Sequence, residues 1–341
     1  MATALSSPAS LDLPPKGDAF DFIQKMPESD NRELNKNQWE SILRVLNHAT
    51  PIDGMEEFDQ RLDDIGSGRG NIVPWPWTSL TKYTCALLPG TVTVLCGSPG
   101  SGKSFFLLQC LRYWEQIRIK ACVFELEEDQ HWHLQRLLAQ IVGRAKLMDL
   151  EWIWHNITLA KTYLAEHRKL LSRYRSMIYT TTTFTETLSD LSKWVEERAE
   201  EGHRIICLDP ISVASRSERP WEDDLEFVRS FSRTAAKHGC SIVLVTHPRL
   251  GPRSYTLNDM AGGASHQRLS QTVIWLVKEK KPRVVKVPSI SQGSTERSVN
   301  RTVRLAKTRY GPGQDMEIGF LFNADTLRFE ECGVIVSDVG E

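Results

Sequence analysis

The sequence predicts an α/β fold in which a central, mainly parallel β-sheet is covered by helices on both faces. From residue 78 onward, nearly continuous apolar runs alternate with helical stretches, which is the pattern of buried parallel strands. Gly202 and Gly239 stand where a helix must end before the next strand begins. The predicted strands are 91–97, 121–127, 176–181, 204–210, 241–247 and 272–278. The predicted helices include 103–117, 129–143, 186–201 and 222–238, and the segments after residue 280 are hairpin-like.

The composition is that of an ordinary globular protein. The 341 residues are 40% hydrophobic and 25% charged, which excludes collagen-like, coiled-coil and wholly disordered chains. Because the net charge is −1, any nucleic-acid contact must depend on local charge. The sequence contains no run of 18 apolar residues, no secretion signal and no Cys-x-x-Cys pair. We therefore expect a cytoplasmic protein with no membrane contact and no structural zinc, whose seven cysteines are thiols.

Two regions are predicted along the chain. Residues 1–72 are expected to form a flexible N-terminus and a short helical extension, and residues 73–341 the main domain. A capping box opens at Asn37 with Glu40, and apolar residues at helical spacing follow at 39–46 and 55–65. Helices this short cannot form a core alone, so we expect them to dock on the main domain or on another subunit.

A phosphate-binding loop is predicted between the first strand and the first helix of the main domain. The pattern G-x-x-x-x-G-K-[ST] is met by Gly97, Ser98, Pro99, Gly100, Ser101, Gly102, Lys103 and Ser104. Glycines at 100 and 102 allow backbone N–H groups to curl around a phosphate. We expect Lys103 to reach the β- and γ-phosphates of ATP, and the Ser104 hydroxyl to bind Mg²⁺.

Acidic residues follow two of the predicted strands. Asp209 ends an apolar strand, as expected of a carboxylate that faces Mg²⁺ beside such a loop. Glu125 and Glu127 end another strand, and one of them is expected to act as the general base. Their spacing cannot choose between them, because an ideal strand puts both on the same face. The alternative is that both belong to a solvated acidic run with Glu128 and Asp129.

The order of these blocks resembles the RecA-like P-loop NTPase motor of the DnaB/Twinkle-like hexameric replicative helicases, superfamily 4. The similarity extends over about residues 78–332 and includes the stretches LLPGTVTVLCGSPGSGKS, VFELEED, RIICLDPIS, VTHPR and LNDMAGGASHQ. Its most specific part is the K-x-R-x-G-P block at 307–312, which a strand and an R-F-E ending follow. The resemblance implies an ATP hydrolase that works as a homo-oligomeric, hexameric ring.

The resemblance also implies roles for single residues. The family's catalytic glutamate falls on Glu127 rather than Glu125, and its metal-side aspartate falls on Asp209. Its polar sensor of the γ-phosphate would be His247. The finger residues that the family inserts into the neighbouring subunit's ATP site fall on Lys307 and Arg309. Loss of such a finger typically lowers turnover by about 10³–10⁵.

Single-stranded DNA is the partner that the resemblance implies. The positional match to the family's channel loops is the segment after His247, which contains Arg249, Arg253 and Asn258. A second candidate surface is the stretch 278–309, which holds ten Lys and Arg residues and two Glu residues; a solvated basic hairpin is the alternative. Contacts to the phosphate backbone would be tolerant of sequence and sensitive to salt.

The function expected from the sequence is that of an ATP-dependent DNA helicase motor in replication, with a primase or another replication protein as a further partner. One alternative is a RecA-like, DNA-dependent ATPase that does not unwind, such as a recombinase, a loader or an accessory protein. The family's helical N-terminal domain has no counterpart here, which favours this alternative. Another is a scaffold whose assembly is switched by the nucleotide. Residues 144–175 are predicted to be an insertion of unassigned purpose.

Overall fold

The computed structural model describes residues 54–66, 72–181, 186–214, 220–249, 254–261, 270–289 and 293–336. The chain divides into two compact units, 1–70 and 71–341. In the first unit, helix α1 spans Met55–Gly66, which agrees with the second of the two predicted short helices. Its Met55, Phe58 and Leu62 are exposed and lie on one side of the helix. The first predicted helix, at 39–46, lies outside the described residues.

The second unit contains the predicted alternation of strands and helices. Its strands are β1 (Thr91–Cys96), β2 (Ala121–Glu125), β3 (Ile178–Thr180), β4 (Ile205–Asp209), β5 (Ser241–Thr246), β6 (Thr272–Ser289), β7 (Gly293–Thr308), β8 (Glu317–Asn323) and β9 (Arg328–Val334). Its helices are α2 (Thr78–Thr84), α3 (Lys103–Gln116), α4 (Gln130–Val142), α5 (Leu150–His155), α6 (Ile157–Arg175), α7 (Leu188–Glu200) and α8 (Pro220–His238). Short 3₁₀ helices span Ala145–Met148, Ile211–Val213 and Leu257–Asp259.

These strands form one sheet in the order β3-β2-β4-β5-β1-β6-β7-β8-β9. The strands from β3 to β6 pair in parallel, and β7, β8 and β9 extend the sheet with antiparallel pairs. The predicted fold class is confirmed. Since the carboxyl ends of parallel strands share one edge, the loops that follow β1, β2, β4 and β5 meet there, and this is where such sheets bind ligands.

The core lies on both faces of the sheet. Ile205 and Cys207 of β4 belong to the buried cluster that contains the apolar residues of α3. Ile206 and Leu208 belong to the cluster on the other face, with residues of α7 and α8. Side chains alternate along a strand, so Asp209 lies on the same face of the sheet as α3, the helix that follows the phosphate loop.

The structure corrects the predicted end of one strand. The prediction ends this strand at residue 278, but β6 continues through the charged residues that follow to Ser289 and forms a long ribbon with β7. A register shift between Lys278 and Arg283 interrupts the pairing. Such an irregularity accommodates Pro282, which has no N–H to donate to the ladder. The charged side chains of this stretch remain in contact with solvent along the ribbon, so the strand can continue without burying them.

The predicted insertion at 144–175 is largely helical. It forms a 3₁₀ turn, α5 and α6, and α6 is fixed to the core through the buried side chains of Leu171 and Tyr174. No helix in the described part of the chain is long and apolar enough to cross a membrane. All seven cysteines lie in the described residues and are free thiols, as predicted.

Candidate nucleotide-binding site

The predicted phosphate loop connects β1 to α3 and has the backbone that its glycines require. Gly100 and Gly102 have φ values of +72° and +102°, which side chains other than hydrogen rarely allow. The loop is also closely packed. A Cβ on Gly97 would lie 2.7 Å from the Leu276 carbonyl oxygen, and one on Gly102 would lie 2.9 Å from the Phe329 ring. Glycine is therefore needed at 100 for conformation, at 97 for space and at 102 for both.

Lys103 is the first residue of α3 and its ammonium group lies within the loop. Its Nζ donates hydrogen bonds to the carbonyl oxygens of Gly97, at 2.8 Å, and Ser98, at 3.3 Å. Burial lowers the pKa of Lys103, while the nearby Asp209 opposes that shift. The loop thus holds a buried positive charge where phosphate oxygens are expected.

Asp209 and Ser104 meet at the carboxyl end of β4. Asp209 is buried and accepts a hydrogen bond from the Ser104 side chain. Burial raises the pKa of Asp209, and Lys103 opposes the increase. Among the described residues, Asp209 Oδ2 has no hydrogen-bond partner. A hydroxyl beside a carboxylate with an unpaired oxygen fits the hard oxygen ligands that Mg²⁺ prefers.

His247 connects two of the predicted catalytic side chains. It directly follows β5, and its Nδ1 lies 3.4 Å from Lys103 Nζ. Its Nε2 lies 3.4 Å from an Oε atom of Glu127. Glu127 is half-exposed, so its carboxylate is open to water at the mouth of the loop. The structure therefore brings Lys103, Glu127 and His247 together with the pair formed by Asp209 and Ser104.

Glu125 lies in a different environment from Glu127. The strand β2 ends at Glu125, so the alternation of an ideal strand does not continue to Glu127. Glu125 is buried, and its carboxylate is 3.5 Å from Nδ1 of His133 on α4. Burial raises the pKa of Glu125 well above its usual range, and the Asp209 charge raises it further. A buried, uncharged carboxyl is a poor base, whereas Glu127 has access to water. His133 had no signal in the sequence.

The two predicted finger residues lie far from the chain's own phosphate loop. The Arg309 N–H donates to the Gln271 carbonyl, and the Gln271 N–H donates to the Val92 carbonyl. Arg309 therefore lies at the same height along the strand direction as Val92. Val92 precedes Gly97 by five residues, or about 16 Å along a strand. Arg309 is exposed, and Lys307 donates a hydrogen bond to the Ser270 carbonyl. Burial, followed by the Arg309 charge, lowers the pKa of Lys307.

The loop with the predicted DNA contacts begins at His247. The Ala261 N–H donates to the His247 carbonyl, and the Arg249 N–H donates to the Asp259 carbonyl, which closes the base of the loop. Arg249 and Asn258 are exposed. Arg253 lies outside the described residues.

A groove of 460 Å³ joins this loop to the ribbon of β6 and β7. Tyr255 of the loop lines one part of it, and Arg304 of β7 donates a hydrogen bond to the Ser254 carbonyl. The basic side chains that line the groove are Lys278, Lys280, Lys281, Arg283 and Arg304. Two glutamates, Glu279 and Glu317, also line it and pair with Arg283. Of the loop residues that the structure describes, Tyr255 lines this groove together with the basic ribbon, whereas Arg249 and Asn258 do not line it.

Comparison with known proteins agrees with the fold. A solved structure described as an ATPase domain has a similar fold, with a TM-score of 0.61 and 15% identity, over 82% of this chain and 99% of that one. A DnaB-like replicative helicase, solved for its interactions with primase, has a TM-score of 0.58 and 14% identity, over 86% of this chain and 72% of that one. At such identities, these likenesses concern the fold. No curated protein sequence matches the chain.

A family model described as an AAA domain matches residues 73–252, which is more than half of the chain and includes the phosphate loop, Glu127, Asp209 and His247. The matched region therefore includes the predicted phosphate loop and the predicted acidic residues. The chain belongs to the AAA domain family, and it has the RecA-like fold of nucleotide-binding ATPases.

Proposed function

We propose that this protein is an ATP-driven motor that acts on single-stranded DNA. It hydrolyses Mg·ATP between neighbouring subunits of a ring and uses the resulting movement to translocate and separate duplex DNA during replication. The observation that carries the proposal is the position of Arg309, exposed and about 16 Å along the strand direction from its own phosphate loop. A finger in that position can serve only the site of another subunit.

The chemistry follows from the side chains around the loop. Asp209 and Ser104 would hold Mg²⁺, which would neutralise phosphate charge. Glu127 orients and polarises the attacking water, because its carboxylate is open to solvent and 3.4 Å from His247. Lys103, His247 and the neighbour's Arg309 stabilise the charge that develops on the γ-phosphate.

The groove lined by Tyr255 and the basic ribbon supports DNA as the substrate. Lysine side chains favour the phosphate backbone, and backbone contacts do not read sequence. Since the loop starts at His247, a change in the contacts of His247 on hydrolysis would be transmitted to the groove. Strand displacement on a forked DNA separates a helicase from an ATPase that only binds DNA, and an ATPase rate unaffected by DNA would favour a nucleotide-switched scaffold.

A mixing experiment tests the shared site. Glu127→Gln and Arg309→Ala chains are each expected to be nearly inactive alone. In an equal mixture, roughly a quarter of the interfaces unite an intact glutamate with an intact finger, so ATPase activity should reappear. The control mixture of Glu127→Gln and Lys103→Ala must stay inactive, because both changes damage the same side of the interface. Absence of recovery in the first mixture would contradict the shared site.

A further inference from the structure

Arg301, in the middle of β7, makes an unexpected contact with the phosphate loop. Its side chain is 7% exposed, and its Nε donates a hydrogen bond of 2.8 Å to the Ser101 carbonyl oxygen. Its Nη1 donates to the Asn300 carbonyl at 2.8 Å, and the guanidinium lies 5.1 Å from the centre of the Phe322 ring. The guanidinium is therefore held on the outer side of the loop, with its plane and its charge fixed.

This buried cation has no anionic partner of its own. In the described part of the chain, Arg301 forms no ion pair with a carboxylate. Burial lowers its pKa, although an arginine remains protonated at neutral pH. An unpaired buried charge is costly for folding. Stability of the fold therefore does not explain an arginine at this position, but an anion that arrives with a ligand does.

The contact determines how the peptide between Ser101 and Gly102 is oriented. In a planar trans peptide, the carbonyl and the following N–H point in opposite directions. With the Ser101 carbonyl held toward Arg301, the Gly102 N–H points away from Arg301, toward the inside of the loop. That N–H has no acceptor among the described residues. The Phe329 ring, 2.9 Å from where a Cβ would stand, limits movement of Gly102.

We propose that Arg301 is a positioning residue of the nucleotide site, which holds the Ser101–Gly102 peptide so that the Gly102 N–H meets the β-phosphate. Its charge, behind the loop, also compensates the charge of the phosphates. This inference rests on the proposed function, since it requires that the loop bind a nucleotide. The inference also gives β7 two roles. Arg301 supports the phosphate loop of the same subunit, and Arg309, which follows the end of β7, reaches the site of the neighbouring subunit.

The test is Arg301→Met, which keeps an unbranched side chain, although a shorter one, and removes its charge and its donors. We expect the melting temperature without nucleotide to stay close to that of wild type, because the removal of an unpaired buried charge offsets the loss of two hydrogen bonds and of the Phe322 contact. The dissociation constant for Mg·ADP, measured by calorimetry, should rise at least tenfold. Arg297→Met, an exposed arginine of the same strand, is the matched control and should change neither quantity.

The ADP affinity of the variants distinguishes a role of Arg301 in nucleotide binding from a role in stability alone. Unchanged ADP affinity in Arg301→Met, with or without a lower melting temperature, would overturn the role of Arg301. If Arg301→Met does not fold, the test uses Arg301→Lys, which retains the charge but lacks the geometry of the guanidinium. This variant should bind ADP several-fold more weakly than wild type. Binding of ADP with wild-type affinity would overturn the inference. If the wild-type protein itself binds no ADP, the proposed function fails and not only this inference.

Discussion

At the scale of single residues, two glutamates only two positions apart have opposite environments. Glu127 is half-exposed and touches His247, while Glu125 is buried beside His133 and Asp209. Burial favours the neutral form of a carboxyl and solvent favours the charged form. The general base must be charged and in contact with water, so the environments favour Glu127 for this role, in agreement with the resemblance to replicative helicases.

This difference predicts opposite effects of the same substitution. Glu127→Gln should abolish ATP hydrolysis, whereas Glu125→Gln should retain most of it, because glutamine resembles a protonated glutamate in shape. Steady-state ATPase assays on both variants test this. The raised pKa of Glu125 means that wild-type stability declines as the pH rises above its unfolded value, near 4.5. Glu125→Gln should therefore gain in melting temperature relative to wild type from pH 5 to pH 8. Loss of activity in both variants would contradict the assignment.

At the scale of elements, the antiparallel part of the sheet supports the site that the parallel part forms. Leu276 of β6, Arg301 of β7 and Phe329 of β9 all contact the phosphate loop, which follows β1. Such contacts fix the loop before the nucleotide binds, which lowers the entropic cost of binding. On the other face, α7 and α8 pack together through a polar cluster around Glu196.

The Glu196 cluster predicts a stability effect that depends on pH. Glu196 accepts hydrogen bonds from Lys237, Thr234 and His238, which lower its pKa to about 2. A carboxylate with a lowered pKa contributes stability above its unfolded pKa, near 4.5, and this contribution is lost as the pH falls toward 2. Glu196→Gln should therefore lower the melting temperature at pH 7, and the difference from wild type should shrink between pH 4.5 and pH 2. Glu226→Gln, at an exposed position on α8, should have little effect. A pH-independent difference would argue against this origin.

At the scale of the whole molecule, a nearly neutral protein presents one basic groove. The net charge of −1 cannot attract DNA over long distances, so the proposed binding would have to depend on the lysines of the ribbon and on the loop at His247. The exposed Arg309 lies at the opposite edge of the sheet from the phosphate loop, level with the start of β1. In the proposed head-to-tail ring, this arrangement would offer the phosphate loop to one neighbour and Arg309 to the other.

The groove predicts how affinity for DNA depends on salt. Lys280→Ala with Lys281→Ala should weaken binding of a single-stranded oligonucleotide and flatten the plot of log affinity against log salt by about 1.4, or about 0.7 for each lost phosphate contact. Lys161→Ala with Lys169→Ala, on the exposed side of α6, removes the same charge and should leave the slope unchanged. Fluorescence anisotropy at several salt concentrations measures both. Equal slopes in the two double variants would exclude the groove.

The local parts of this protein could be read from its sequence. Apolar runs bounded by glycine gave the parallel strands, and the spacing from Gly97 to Ser104 identified the phosphate loop, because both patterns depend on residues close together in the chain. The predicted end of β6 is wrong, because a charged stretch with a proline can continue as a strand when β7 pairs with it.

Pairing over long distances decided the rest. The contact of Arg301 with Ser101 joins residues 200 positions apart, and no pattern around either residue indicates it. The separation of Glu125 from Glu127 depends on where β2 ends, and the distance of Arg309 from Gly97 depends on the register of β1, β6 and β7. A sequence specifies which groups are present and the local shape that holds them. Burial and strand register arise only when distant segments pack together, and they determine which carboxyl is charged and which site a finger can reach.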